Sequence, residues 1–94
     1  MKRLLLRSRS FVRAAQRTFK KYPRSGEDIQ ATLELLSKDT FHPILLKTHK
    51  LKGDLKDSWA CSVSYELRII FKFVQYKGSE AILLETIGTH EEIY

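Results

Sequence analysis

The stretch Trp59-Ala60-Cys61-Ser62-Val63-Ser64-Tyr65-Glu66-Leu67-Arg68-Ile69-Ile70-Phe71-Lys72-Phe73-Val74 changes character at every second residue. Trp59, Cys61, Val63 and Tyr65 alternate with Ala60, Ser62, Ser64 and Glu66, which is the period of a half-buried strand. Leu67, Ile69, Phe71 and Phe73 then form one face of a second strand, with Arg68, Ile70, Lys72 and Val74 on the other. Tyr76-Lys77-Gly78-Ser79 reads as a turn in which Gly78 can take positive φ, and residues 81–87 as a last apolar strand. One sheet face is thus aromatic and aliphatic. The other carries Ser62, Ser64, Arg68 and Lys72, a place to hold a phosphate backbone.

Upstream the period is different. Residues 3–7 form a short apolar strand, and from Ser8 onward Phe11, Ala15, Phe19 and Tyr22 recur at helical spacing with Arg and Lys between them. Pro23 stops that helix. Ser25 is expected to cap a second helix, with Glu27 and Asp28 at the positive end of its dipole and Ile29, Leu33 and Leu36 as its apolar stripe. The connection Tyr22-Pro23-Arg24 is short, so the two helices should form an antiparallel hairpin. The second helix should end near Asp39-Thr40, and a further strand is expected through 47–51. The expected fold is α+β: a β-α-α-β-β-β order with the helical hairpin packed on one face of a mostly antiparallel twisted sheet. Trp59 shares a face with Cys61 and Val63, so it is expected to pack in the core.

Composition narrows the function. The chain has 94 residues, of which 43% are hydrophobic and 30% charged, and one domain spanning 1–94 is expected. Seventeen Lys and Arg against 11 Asp and Glu give a formal charge of +6, which favours a polyanionic partner. No apolar run approaches the roughly 18 residues of a membrane span, and Arg7 and Arg9 cut short the signal-like opening Met1 to Leu6. The single Cys61 offers neither an internal disulfide nor a metal-ligand spacing, so a cytoplasmic location is the simplest expectation.

Three segments together resemble a known family. His49-Lys50-Leu51-Lys52-Gly53, Tyr65-Glu66-Leu67-Arg68-Ile69-Ile70-Phe71 and Gly88-Thr89-His90-Glu91-Glu92-Ile93-Tyr94 look like the frame of the RelE/ParE toxin superfamily, and within it are most similar to the YafQ-type mRNA interferases. That resemblance implies the toxin of a bacterial type II toxin–antitoxin pair. Such a toxin enters the ribosomal A site, cuts mRNA without a metal or other cofactor, and is blocked by a cognate antitoxin in a hetero-oligomer. It implies site roles for His49, His90 and the terminal aromatic Tyr94. Two departures stand out. YafQ-type toxins carry a His-x3-Asp-Trp segment where this chain has Ser62, Glu66 and Leu67, and an Arg where it has Thr86. Arg68 is then the candidate for the missing cation.

Cleavage through the RNA 2′-hydroxyl needs a base, an acid for the leaving 5′-oxygen, and cations for the phosphoryl charge. Histidine suits the proton steps and Arg the phosphorane oxygens. His49 is therefore the leading base candidate and His90 the leading acid candidate, although the two roles can be exchanged, and Glu66 is a second base candidate. Arg68 is the transition-state cation, Lys50, Lys52 and Lys72 are RNA-binding candidates, and Tyr94 would stack on a base or take part in proton transfer. Two alternatives remain open: a ParE-like gyrase inhibitor without nuclease activity, and a non-catalytic RNA-binding module. Against the second, the sheet lacks the paired exposed aromatics that stack single-stranded bases.

Overall fold

The computed structural model describes residues 3–38, 49–50, 58–64 and 66–93, with His49, Lys50 and His90 described by backbone alone. In chain order the elements are β1 (Leu4–Arg7), α1 (Arg9–Lys21), a 3-10 turn (Pro23–Ser25), α2 (Gly26–Ser37), β2 (His49–Lys50), β3 (Trp59–Ser62), β4 (Leu67–Tyr76), β5 (Ser79–Thr89) and a short terminal helix α3 (His90–Ile93). The strands make one sheet in the order β1-β5-β4-β3-β2. The β1–β5 pair is parallel and the other three are antiparallel.

The alternating pattern sorts as the sequence indicated. Cys61, Ile69, Phe71, Ile82, Leu84 and Ile87 pack against Phe11 and Ala14 of α1 and Ile29, Leu33 and Leu36 of α2 in one buried cluster. Trp59 packs against that cluster and meets Phe73 edge-on at 6.4 Å, so it is a core residue. The β4–β5 turn takes positive φ at both Lys77 (51°) and Gly78 (81°), the backbone of a two-residue hairpin turn whose twist matches its strands.

A bulge lies in the β4–β5 ladder. Ile70 pairs with Thr86 and Phe71 with Leu84, which leaves Glu85 as the extra residue. The bulge is tied down from two sides. Ser8 Oγ donates to the Glu85 carbonyl at 3.1 Å while accepting the Phe11 N–H at 3.0 Å, so the cap of α1 is also a clamp on β5. Buried Ser58 donates its hydroxyl to the Glu85 carboxylate at 2.5 Å.

Four expectations need correction. Ser25 does not cap α2 with its side chain. The 3-10 turn runs straight into the helix, which leaves Ser25 with helical φ and ψ, and its hydroxyl donates back to the Tyr22 carbonyl at 2.7 Å. The buried stripe of α1 is Phe11, Ala14 and Thr18, with Ala15 packed at its edge as expected, whereas Phe19 is 44% exposed and lies against Gly26, where a side chain would crowd its ring at 3.2 Å. The strand expected to reach Tyr65 ends at Ser62, because Val63 and Ser64 both turn their N–H groups onto the Leu67 carbonyl. The last strand is longer than 81–87, and the tail beyond it is helical. The second helix ends at Ser37. The expected end at Asp39-Thr40, most of the 47–51 strand, and Tyr65 lie outside the described residues.

Candidate active site

Across the sheet, register partners share a face. Leu67, Ile69 and Phe71 of β4 are buried toward the helices, so Arg68, Ile70 and Lys72 belong to the opposite face. Two rungs of that face matter. In the first, Ser62 pairs with Arg68 and Arg68 with Gly88. In the second, His49 pairs with Ala60, Ala60 with Ile70, and Ile70 with Thr86. Ser62, the departure from the family's histidine, therefore stands beside Arg68, the candidate for the cation missing at Thr86, and Thr86 itself takes the next rung.

Arg68 is half-buried and donates to the carbonyls of Ser64 and Leu67, both at 3.0 Å. These bonds fold its side chain toward the β3–β4 bend, at the end of the sheet where β5 gives way to the tail. Lys72 is half-buried farther along the same face, opposite Leu83. Lys50 takes the Trp59–Phe71–Leu84 rung, whose residues belong to the helix-covered core, so its register sets it on the other face from Arg68 and Lys72 and corrects its expected place among the RNA-binding residues. Lys52 and Tyr94 lie outside the described residues.

The tail is held by three ties. Thr89 caps α3, its Oγ1 accepting the Glu92 N–H at 3.3 Å while its own N–H donates to the Glu92 carboxylate at 2.9 Å. That reciprocal pair is a capping box, and it begins immediately before His90. Gly88 permits the close return of the chain, since a Cβ there would sit 3.3 Å from both the Glu92 Cβ and its carboxylate. Ile93 packs against Ala60 and Ile70, the small buried cluster on the face away from the helices. The helix that starts with His90 thus crosses back over the sheet to Ala60, whose β2 partner is His49. The Thr89 N–H bond, followed by the Thr89 hydroxyl and the charges of Lys21 and Arg17, holds the Glu92 carboxyl below its ordinary pKa against a smaller opposing effect of burial.

Glu66 is exposed on the β3–β4 bend. It lines a hollow of about 280 Å³ with Lys21, Tyr22, Thr89 and Glu91, so it stands beside the root of the tail. Cys61 is fully buried, and burial pushes its thiol up to about 12, which removes it as a nucleophile. A separate and more apolar hollow of about 330 Å³ lies between α1 and α2, among Phe11, Val12, Ala15, Phe19, Ile29 and Leu33.

The family profile described as "Bacterial toxin of type II toxin-antitoxin system, YafQ" matches residues 4–94. The chain belongs to the YafQ toxin family. Solved structures agree on the fold. YafQ from E. coli strain BL21(DE3) is 19% identical, with a TM-score of 0.81 and 98% of each chain covered. YafQ in the E. coli DinJ–YafQ complex is 20% identical, with a TM-score of 0.80 and 98% of each chain covered. A YoeB/ParE toxin from Agrobacterium tumefaciens is 18% identical, with a TM-score of 0.74, covering 93% of this chain and 98% of that one. No curated protein matches the sequence.

Sequence reasoning named His49, Arg68 and His90 but missed Glu92 and Ile93, which give the tail its shape. The signal was present: Thr89-x-x-Glu92 is a capping-box spacing, readable once the tail is taken as a helix start.

Proposed function

We propose that this YafQ-family toxin is a ribosome-dependent mRNA endonuclease whose active face is the side of the sheet turned away from α1 and α2. One observation carries the reading: Ala60 is at once the register partner of His49 and a contact of Ile93, in the helix that His90 begins. The two proton-transfer candidates thus belong to elements that meet over one strand, beside the Ser62–Arg68–Gly88 rung.

The chemistry follows from the residue types. His49 takes the proton of the RNA 2′-hydroxyl, and the 2′-oxygen attacks the adjacent phosphorus. Arg68 stabilises the phosphorane oxygens. The bond to the 5′-oxygen breaks and His90 supplies the proton to that oxygen. The products are a 2′,3′-cyclic phosphate and a free 5′-hydroxyl. Histidine serves either proton step, so the two can exchange roles, and Glu66 is the second candidate base. Lys52 and Lys72 hold the RNA backbone and Tyr94 stacks on a base, while Lys50, whose register is that of the helix-covered face, leaves this set. The site is the ribosomal A site in the cytoplasm, and the control is a cognate antitoxin, the type of partner that the DinJ–YafQ complex exemplifies.

The test is induction of the protein in cells with mapping of mRNA 5′ ends. Cuts confined to translated messages are expected. Intact mRNA with DNA damage would instead assign the chain to gyrase inhibition, an activity the same fold can host in ParE-type toxins.

A further inference from the structure

A four-residue helix has no stability of its own, because nucleation costs more than one turn of hydrogen bonds returns. The course of the tail therefore depends on its three ties. The Ile93 contact fixes the far end on Ala60 and Ile70. The Thr89–Glu92 pair fixes the near end, with bonds of 2.9 and 3.3 Å in opposite directions. The bare Gly88 lets the Glu92 side chain lie against the strand end at all. His90 is the first residue of the turn so closed.

We propose that Glu92 is a positioning residue for RNA cleavage: its carboxylate closes the first turn of the tail onto Thr89 and so fixes where His90 stands relative to Arg68. This rests on the nuclease reading above. The carboxylate touches no substrate in this role. It acts through the Thr89 N–H, and what it needs is an acceptor oxygen in the right place rather than a charge. A misplacement of about 1 Å at a reacting group costs as much as a hundredfold in rate, so a loosened first turn should be read in catalysis.

The experiment compares wild type, Glu92→Ala, Glu92→Gln and Gly88→Ala on programmed ribosomes, with kcat and ribosome affinity measured separately and Thr89 amide exchange followed by NMR. Glu92→Ala should lower kcat by about tenfold or more, leave ribosome affinity and melting temperature near wild type, and expose the Thr89 amide. Glu92→Gln keeps the acceptor oxygen and should cut within about twofold of wild type. Gly88→Ala, whose new Cβ would press on Glu92 at 3.3 Å, should resemble Glu92→Ala. Undiminished cutting by Glu92→Ala, with wild type active, overturns this inference alone. Equal losses in Glu92→Gln and Glu92→Ala also overturn it, since the charge and not the acceptor would then matter. A wild type that cuts nothing on ribosomes overturns the nuclease reading and this inference with it.

Discussion

Ile70 and Phe71 are consecutive, equally buried, and belong to different halves of the molecule. Phe71 is 0% exposed and stands among Ile69, Ile82, Leu84 and the helix side chains. Ile70 is 1% exposed, yet among the described residues its cluster holds Ala60 and the tail residue Ile93 alone. The first face is a core in which two helices cover the sheet. The second is a small apolar footing beside Arg68, Ser62 and Lys72, and a tail of one helical turn covers it. Burial on the first face supports the whole fold, while burial on the second supports the position of the tail. The polar groups Ser62, Arg68 and Lys72 of the second face are half-buried and keep part of their surface open.

That contrast can be tested one side chain at a time. Phe71→Ala should cost about 3–5 kcal/mol in urea denaturation, the usual result of emptying a large aromatic site, and in so small a domain much of the population should unfold. A loss under about 1 kcal/mol would mean that the helix-covered core is not the chief source of stability. Arg68→Ala should cost about 2.7–4 kcal/mol of transition-state stabilisation while changing folding stability by only about 1 kcal/mol, because its side chain is half-buried and its bonds to Ser64 and Leu67 go to main-chain carbonyls at a bend. Ile70→Ala should cost about 2 kcal/mol in stability, the usual loss for truncating a buried aliphatic side chain, and should slow cleavage as Ile93 loses its footing.

A separate effect should appear only in alkali. Burial holds the Cys61 thiol near 12, against an ordinary value of 9.0. Above about pH 9 the unfolded chain releases a proton that the folded chain keeps, so stability should fall as pH rises and level off near pH 12. The slope is about 1.4 kcal/mol per pH unit at most. Cys61→Ala should flatten that part of the stability–pH curve, and an unchanged curve would mean that the thiol ionises freely in the folded chain.

The fold was legible where period decided it. The alternation at 59–62 and 67–74 placed both strands and the correct face of each, because a two-residue period leaves only two choices. The stripe Ile29, Leu33 and Leu36 was legible for the same reason at helical spacing. The miss on α1 has a local cause. Phe11 and Ala15 of the expected stripe do pack on the core, Ala15 at its edge, but the stripe continues through Ala14 and Thr18 and not through Phe19, which hydrophobicity favours. Thr18 can be buried because its hydroxyl donates to the Ala14 carbonyl at 2.8 Å, a bond that side-chain polarity does not announce. Ser25 was misread because a 3-10 turn before a helix removes the extended backbone a cap requires. In the candidate site, residue types were legible but the tail geometry was not. The contact of Ile93 with Ala60 joins positions far apart in sequence, and no local pattern encodes it.

The most direct measurement is cleavage of mRNA on programmed ribosomes by the purified toxin, wild type beside Arg68→Ala, with the product ends identified chemically. Expected are cuts in the A site that leave a 2′,3′-cyclic phosphate and a 5′-hydroxyl, slowed about 100- to 1000-fold in Arg68→Ala at unchanged ribosome affinity. Intact mRNA with wild type, or equal cutting by both proteins, would contradict an active face built around Arg68.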